Sequence, residues 1–170
     1  MDVARGVALS ALLAVACWSD LRARRIPNTL VLVTAVVGFV FGVAGQGWLD
    51  GLTRAGGGLV TGLAIWLPFF VFGMLGAGDV KLFAASATFL GARAAVEGAL
   101  YTALFGGVLA AIFMIANSGL AATAFRISHA ANQPMLLRQE PSTHGRRLPY
   151  ALAIAAGVLT ALWWPGHLLG

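Results

Sequence analysis

The feature that most constrains the fold of this chain is a series of long apolar stretches separated by short polar segments. The six stretches cover about residues 3–19, 29–44, 55–75, 79–90, 95–117 and 148–164. A helix of about 20 apolar residues, rising about 1.5 Å per residue, matches the ~30 Å hydrocarbon core of a bilayer. Apolar residues make up 59% of the chain and charged residues only 10%, whereas soluble domains carry about 25% charged residues. This pattern predicts an all-α, polytopic membrane protein with about six transmembrane helices.

The distribution of basic residues predicts how these helices are oriented. The net charge is +5, but the basic residues cluster between apolar stretches, as topology-setting loops do, so no nucleic-acid partner is expected. If the loops alternate, eight of the eleven basic residues lie on one side, which is therefore cytoplasmic: Arg22, Arg24, Arg25, Lys81, Arg126, Arg138, Arg146 and Arg147. Both termini then face outward.

Two aspartates lie at the ends of apolar stretches, on the predicted cytoplasmic side. Asp20 closes the first stretch and Asp79 opens the fourth, in a chain with only six acidic residues. Ionisable groups near bilayer depth are costly and usually mark a functional site. A plainer interpretation makes Asp20 a partner of Arg22 or Arg24 and Asp79 a helix cap. Two carboxyls that share a proton, however, are the apparatus of an aspartic protease.

Two glycines precede the second aspartate. Gly76 and Gly78 have no side chains, which lets a substrate backbone approach and lets water reach the acid. We therefore predict that Gly76 and Gly78 contribute to substrate binding beside Asp79.

These motifs resemble those of the type IV prepilin peptidase family, bacterial aspartic endopeptidases of the membrane that bear a GxGD motif. The resemblance lies in Asp20-Leu21-Arg22, in Arg25-Ile26-Pro27-Asn28, and in Gly76-Ala77-Gly78-Asp79-Val80-Lys81-Leu82, and it is echoed at Leu148-Pro149-Tyr150-Ala151. It implies that residues 1–170 form a single membrane-embedded peptidase domain with Asp20 and Asp79 as the catalytic pair. It also implies a prepilin-like protein substrate with a basic leader, a role in type IV pilus biogenesis, and a place in the bacterial inner membrane.

The resemblance is to the short form of the family, associated with Flp/Tad pilus systems. Larger relatives carry a methyltransferase domain with paired CxxC motifs between the first two helices. Here fewer than ten residues join those helices, and the one cysteine of the chain is Cys17. The histidines, His129, His144 and His167, follow no metal-ligand spacing. We therefore expect no metal, no S-adenosylmethionine and no other cofactor.

Rival functions predict other features. A presenilin-like intramembrane protease shares the GxGD element but cuts within an apolar span, whereas Arg22, Arg24 and Arg25 favour cutting at its edge. A proton-coupled transporter would place its acids near the midplane and repeat its halves. A purely structural pilus-assembly subunit would tolerate loss of either aspartate.

Four other polar residues carry simpler expectations. Asn28 is predicted to cap the second helix, and Lys81 to anchor its helix at the membrane surface. Cys17 is predicted to be a small packing residue and Glu97 to be solvated on the outer side.

Overall fold

The structure is a computed structural model that describes residues 3–132, 149–164 and 166; the side chains of residues 114 and 117–132 are outside this description. The described residues form helices and connecting turns. The six helices are α1 (Val3–Ala23), α2 (Asn28–Gln46), α3 (Trp48–Val71), α4 (Ala77–Leu90), α5 (Ala92–Asn132) and α6 (Ala151–Trp163). The predicted all-α class is confirmed for this part of the chain.

Several helix boundaries differ from the predicted ones. α1 continues to Ala23, so Asp20 lies within its last turn rather than after it. α3 begins at Trp48 instead of residue 55, because only Gly47, with φ +87°, breaks the chain after α2. Asp50 then lies in the first turn of α3, where the helix dipole favours a carboxylate. α5 continues to Asn132, well into the segment between the fifth and sixth predicted stretches.

The predicted cap of α2 was wrong. Pro27, in an extended conformation, occupies the N-cap position, and no side chain caps the helix there. Asn28 is instead the first residue of α2, and its Oδ1 accepts a hydrogen bond of 3.4 Å from Lys81 Nζ on α4. A proline suits this position because it has no N–H to leave unpaired. Lys81 is exposed, as expected for a surface group, but it also joins two helix starts.

Among the residues that the structure describes, four helices are long and apolar enough to cross a membrane. They are α1, α2, α3 and the first part of α5, over Ala92–Phe113. α4 and α6, with 14 and 13 residues, are about 21 and 20 Å long at 1.5 Å per residue, shorter than the ~30 Å core. These apolar helices are those of a multi-pass membrane protein. Six crossings and outward termini stay predictions.

The contacts divide the chain into two compact units. The first contains Met1–Gly106 and Pro149–Gly170, and the second contains Gly107–Leu148. The first unit holds both aspartates and everything described below. The prediction of a single domain over residues 1–170 stays a prediction.

α4 is the centre of the first unit. It packs against α1, α2, α3 and α6, and every residue from Leu82 to Leu90 is buried. Its middle carries small residues, Ala84-Ala85-Ser86-Ala87, that let neighbouring backbones come close. Glycines of the partner helices face them: Gly38 of α2 lies against Thr88, and Gly58 of α3 against the Ala87 carbonyl. Lipid tails are as apolar as the helices, so the hydrophobic effect does not drive helices together in a membrane. Close packing through small residues stabilises their association instead.

α1 and α6 contact each other at both of their ends. At one end, the last turn of α1 lies by the first turn of α6, where Ala151 N donates to Asp20 Oδ2. At the other end, Gly6 near the start of α1 lies against Trp163 at the end of α6. α1 and α6 are therefore antiparallel, which sets the depth of Asp20 relative to the start of α6.

The close contact of α3 with α4 is testable by adding one methyl group. A Cβ at Gly58 would collide with the Ala87 carbonyl oxygen, whereas a Cβ at Gly56 would meet nothing within 4 Å. Gly58→Ala should therefore force the helices apart, at about 1–3 kcal/mol. Its thermal unfolding midpoint in detergent should fall by several degrees.

Gly56→Ala is the matched control, and it should leave the midpoint unchanged or slightly higher because alanine favours helix by about 0.5–1 kcal/mol. Equal midpoints for the two variants would contradict this account of the packing.

Candidate active site

Asp20 is a buried carboxylate in the last turn of α1. Its side chain is 8% exposed, and Oδ2 accepts a hydrogen bond of 3.3 Å from the Ala151 backbone N–H. α1 ends just beyond it, where Arg24 adopts the left-handed conformation with φ +50°, a way of ending a helix that more often uses glycine. Ser19 Oγ donates to the Arg25 carbonyl at 2.9 Å and holds this turn. The buried carboxylate thus lies immediately beside the surface where the chain turns.

Asp79 lies in the first turn of α4, outside the four candidate membrane spans. Gly76 is the N-cap residue, in an extended conformation with φ −75° and ψ 146°. Asp79 is the third helical residue, and its carboxylate accepts a hydrogen bond from the Gly76 backbone. This is the acidic half of a capping box. The capping alternative is therefore part of the structure, with Asp79 at the third position rather than at the cap.

The structure brings the two aspartates within electrostatic reach of each other. Burial first, and the negative charge of Asp20 second, raise the pKa of the Asp79 carboxyl from 3.8 to about 6, against the opposing hydrogen bond from Gly76. The two residues are far apart in sequence and meet because α1 contacts α4. A carboxyl that keeps its proton beside a second carboxylate can supply general acid and general base together.

Gly76 and Gly78 have different neighbours. A Cβ at Gly76 would lie 3.0 Å from Asp79 Oδ2, so glycine leaves room for the carboxylate itself. A Cβ at Gly78 would lie 3.5 Å from Ile26, in the connection between α1 and α2, which is ordinary contact. Gly76 is exposed and Gly78 half-buried. The predicted role of both glycines in substrate binding stays a prediction.

A cluster of three aromatic side chains, Trp66, Phe83 and Tyr150, lies near Asp79 and was not predicted from the sequence. Tyr150, the N-cap residue of α6, has its ring centroid 6.2 Å from that of Trp66, edge to face, and Trp66 also meets Phe83 at 5.6 Å. Burial, and then the charge of Asp79, raise the pKa of the Tyr150 hydroxyl. Tyr150 therefore lies between the aromatic core and Asp79. The echo of the family motif at Pro149-Tyr150-Ala151 was the available signal.

Cys17 has a more specific contact than the packing role expected of it. It lies one turn before Asp20 on α1 and is half-buried, and its Sγ donates to the Ala151 carbonyl at 3.4 Å. Both backbone groups of Ala151 thus meet α1, the carbonyl at Cys17 and the N–H at Asp20.

The charged surroundings of the pair are mostly basic and exposed. Arg22, Arg24 and Arg25 are exposed around the end of α1, and Lys81 is exposed one turn into α4. The side chain of His129 lies outside the described part of the structure, and His144 and His167 lie outside it entirely. Within the described residues, no group of three His, Cys, Asp or Glu side chains is placed to hold a metal ion.

The prediction that Glu97 is solvated was wrong. It is 1% exposed and accepts a hydrogen bond of 2.8 Å from the Gly166 backbone N–H. It borders a cavity of about 500 Å³ with Arg54 and Arg93, at the end of α4 opposite Asp79. Arg54 Nη2 also donates to the Leu90 carbonyl at 3.4 Å. The burial follows because the turn after α6, which holds Gly166, lies against the start of α5, and a local sequence pattern does not reveal this contact.

The chain matches the model of a known protein family. No match was found among curated proteins or among solved structures. The model of the type IV leader peptidase family matches residues 7–115, more than half of the chain. The matched segment contains both Asp20 and Asp79, most of α1 and all of α4. The chain belongs to the type IV leader peptidase family.

Proposed function

We propose that this protein is an aspartic endopeptidase that removes the basic leader of prepilin-like substrates at the cytoplasmic face of the bacterial inner membrane. Asp20 and Asp79 are its catalytic pair. The family supports a leader peptidase and a membrane setting. The observation that carries the aspartic mechanism is the electrostatic contact of the two carboxyls, which helps to raise the pKa of Asp79 to about 6.

The mechanism needs one ionised and one protonated carboxyl. The ionised carboxylate takes a proton from water as the water oxygen bonds to the scissile carbonyl carbon. The protonated carboxyl donates a hydrogen bond to the carbonyl oxygen, which accumulates negative charge. When the C–N bond breaks, the leaving amine takes the proton gained from water. The products are a carboxylic acid and an amine, and the pair returns to its starting protonation.

The position of the pair at helix ends suits a substrate held in the bilayer. A prepilin-like helix would lie in the lipid beside the enzyme, with its scissile bond level with the end of α1 and the start of α4. A peptide must be extended to be cut. We place the backbone of the substrate against Gly76, which is exposed beside Asp79, and then against Gly78. Residues 24–27 alone join α1 to α2, a length that fits the short form of the family in type IV pilus biogenesis.

The catalytic pair is testable by removing each acid without changing its shape. Asp20→Asn and Asp79→Asn should each lower cleavage of a prepilin-like peptide by several orders of magnitude, because an amide can act neither as base nor as acid. Turnover would be measured on purified protein in detergent or nanodiscs.

Asp50→Asn is the matched control, since Asp50 is exposed in the first turn of α3. Arg54, one turn later, donates to the Leu90 carbonyl at the end of α4 opposite Asp79. It should cleave at the wild-type rate. Near-normal turnover by either of the other two variants, at normal expression and stability, would refute the assignment of the pair.

The raised pKa of Asp79 predicts an alkaline loss of activity. If Asp79 must carry a proton, the active fraction is about one half at pH 6, approaches its maximum as the pH is lowered further, and falls about tenfold for each pH unit well above pH 6. We expect kcat/KM to fall in this way between pH 6.5 and 8.5, measured with a substrate whose basic leader holds only lysine and arginine, which do not titrate there. A constant kcat/KM over this range would contradict the requirement for a proton on Asp79.

The predicted sidedness is testable with single cysteines in a Cys17→Ser background. Arg25→Cys, beside the catalytic end, should react with a membrane-impermeant thiol reagent only from the cytoplasmic side of oriented vesicles. Gln46→Cys, at the exposed far end of α2, should react only from the outer side. Reaction of position 25 from outside would place the pair on the wrong side of the membrane for this substrate.

A further inference from the structure

Tyr150, at the start of α6, has a hydroxyl group that the packing of the bundle does not use. We propose that this hydroxyl donates a hydrogen bond to the oxygen of the scissile carbonyl and stabilises the negative charge that the oxygen gains. Asp20 and Asp79 carry out every proton transfer, and Tyr150 keeps its own proton throughout. The inference rests on the proposed function, because it adds a third catalytic residue to the same reaction.

The backbone next to Tyr150 is fixed at Asp20. Tyr150 is the N-cap residue of α6, and the N–H of the following residue, Ala151, donates to Asp20 Oδ2 at 3.3 Å. The carbonyl of Ala151 accepts a hydrogen bond of 3.4 Å from the Cys17 thiol. Both backbone groups of the residue after Tyr150 are therefore bound to α1. This places Tyr150 directly beside one member of the pair.

The ring of Tyr150 is held beside the helix of the other aspartate. It meets Trp66 edge to face at 6.2 Å, and Trp66 in turn meets Phe83 at 5.6 Å. Phe83 follows Asp79 by one helical turn, so the two side chains share a face of α4. Burial first, and the charge of Asp79 second, raise the pKa of the Tyr150 hydroxyl, which agrees with this placement. The hydroxyl therefore lies near both aspartates.

α5 leaves room for the hydroxyl end of the same ring. A Cβ at Gly106 would collide with the oxygen and Cζ of Tyr150, so a larger residue at this position would displace the ring. Tyr150 is thus confined by Trp66 of α3 and Gly106 of α5, while its backbone is joined to α1. A donor that is already fixed in place needs little reorganisation during the reaction, as electrostatic stabilisation of a transition state requires.

The Tyr150 hydroxyl forms no hydrogen bond with the residues that the structure describes. It is also accessible: the enclosed side-chain atoms that lack a partner in this part of the chain include Trp66 Nε1 and Thr102 Oγ1, but not the Tyr150 oxygen. A buried tyrosine hydroxyl usually has a polar partner. We assign that partner to the substrate, because an extended peptide cut by Asp20 and Asp79 brings a carbonyl oxygen to this place.

A second donor has a definite use in this reaction. When water adds to the carbonyl carbon, the carbonyl oxygen gains negative charge, and the protonated carboxyl of the pair supplies one hydrogen bond. The phenol supplies another, and this bond is stronger to the charged oxygen than to the neutral carbonyl of the bound substrate. Interactions that strengthen in the transition state raise kcat.

The test removes the hydroxyl and keeps the ring. Tyr150→Phe should lower kcat about tenfold to a hundredfold with KM little changed, because the lost hydrogen bond acts mainly in the transition state. Cleavage of a prepilin-like peptide would be measured on the full-length protein in nanodiscs, with the thermal midpoint of each variant. Turnover by Tyr150→Phe that equals that of the wild type would overturn the inference, since only packing of the ring would then remain.

Tyr101→Phe is the matched control. The chain has two tyrosines, and Tyr101, on α5, packs against the hydrophobic core of the same unit. Its loss of a hydroxyl should leave kcat at the wild-type value. An equal fall of kcat in both variants would mean that removing any tyrosine hydroxyl perturbs the enzyme, and it would overturn the assignment to Tyr150.

A second series keeps the hydroxyl and changes only its strength as a donor. Tyr150 would be replaced by 3-fluorotyrosine and by 3,5-difluorotyrosine through suppression of a nonsense codon. Fluorine makes the phenol more acidic, so at about pH 6, where the phenol keeps its proton, kcat should rise with the number of fluorine atoms. A kcat that does not respond, at equal thermal midpoints, would overturn the inference even if Tyr150→Phe does not fold.

These outcomes differ from those that concern the proposed function itself. Absence of peptide cleavage by the wild-type protein would refute the proposed function and this inference with it. Cleavage that is lost in Asp20→Asn and Asp79→Asn but remains complete in Tyr150→Phe would leave the catalytic pair in place. The assignment of Tyr150 alone would then be wrong.

Discussion

The burial of α4 among its neighbours is the constraint on which the rest of the structure depends. A helix of 14 residues that contacts α1, α2, α3 and α6 has little freedom to slide. Gly38 and Gly58 bring the neighbouring backbones so close that one added methyl would collide. The start of α4 is therefore set at the depth where α1 ends and α6 begins. Asp79 reaches Asp20 because of this packing, not because of any local property of its own motif.

Placing two carboxyls at such a junction is costly, and the structure offsets the cost in two ways. Removing an ionised carboxylate from water costs several kcal/mol even after relaxation. At Asp20 a backbone N–H of another helix provides a partner. At Asp79 the cost appears as a raised pKa, so the group keeps a proton near pH 6. The same desolvation that destabilises two charges makes one shared proton favourable, and one shared proton is what peptide hydrolysis by two carboxyls requires.

The opposite end of the bundle also contains a buried acid, Glu97, but its neighbours are different. Glu97 is enclosed more completely than Asp79, yet its oxygen is occupied by the Gly166 N–H, and arginines border the same cavity. This hydrogen bond joins the start of α5 to the turn after α6. Burial alone therefore does not identify a reactive acid in this protein. The distinguishing feature of Asp79 is a second carboxylate as its neighbour.

Local patterns in the sequence were sufficient to predict the helices and to single out two acids that the structure brings within electrostatic reach of each other. Apolar stretches predict helices because hydrocarbon leaves backbone groups no partner outside the helix, and Asp20 and Asp79 stand out because charged residues are rare in such stretches. The same patterns failed where a neighbour distant in sequence decides the outcome. Lys81 rather than the start of α2 is the partner of Asn28. At the other end of the bundle, Glu97 is hydrogen-bonded by Gly166 in the turn after α6.

The contact of Asp20 with Ala151 joins residues 131 positions apart, and no spacing rule relates them. Only the antiparallel packing of α1 against α6, and the burial of α4 between helices, determine which backbone N–H meets which carboxylate. The sequence alone singled out Asp20 and Asp79, because the free-energy cost of an ionisable group in lipid depends on the position of that residue in its own apolar stretch. Their proximity and the difference between their surroundings were decided by tertiary structure, because both depend on how helices meet.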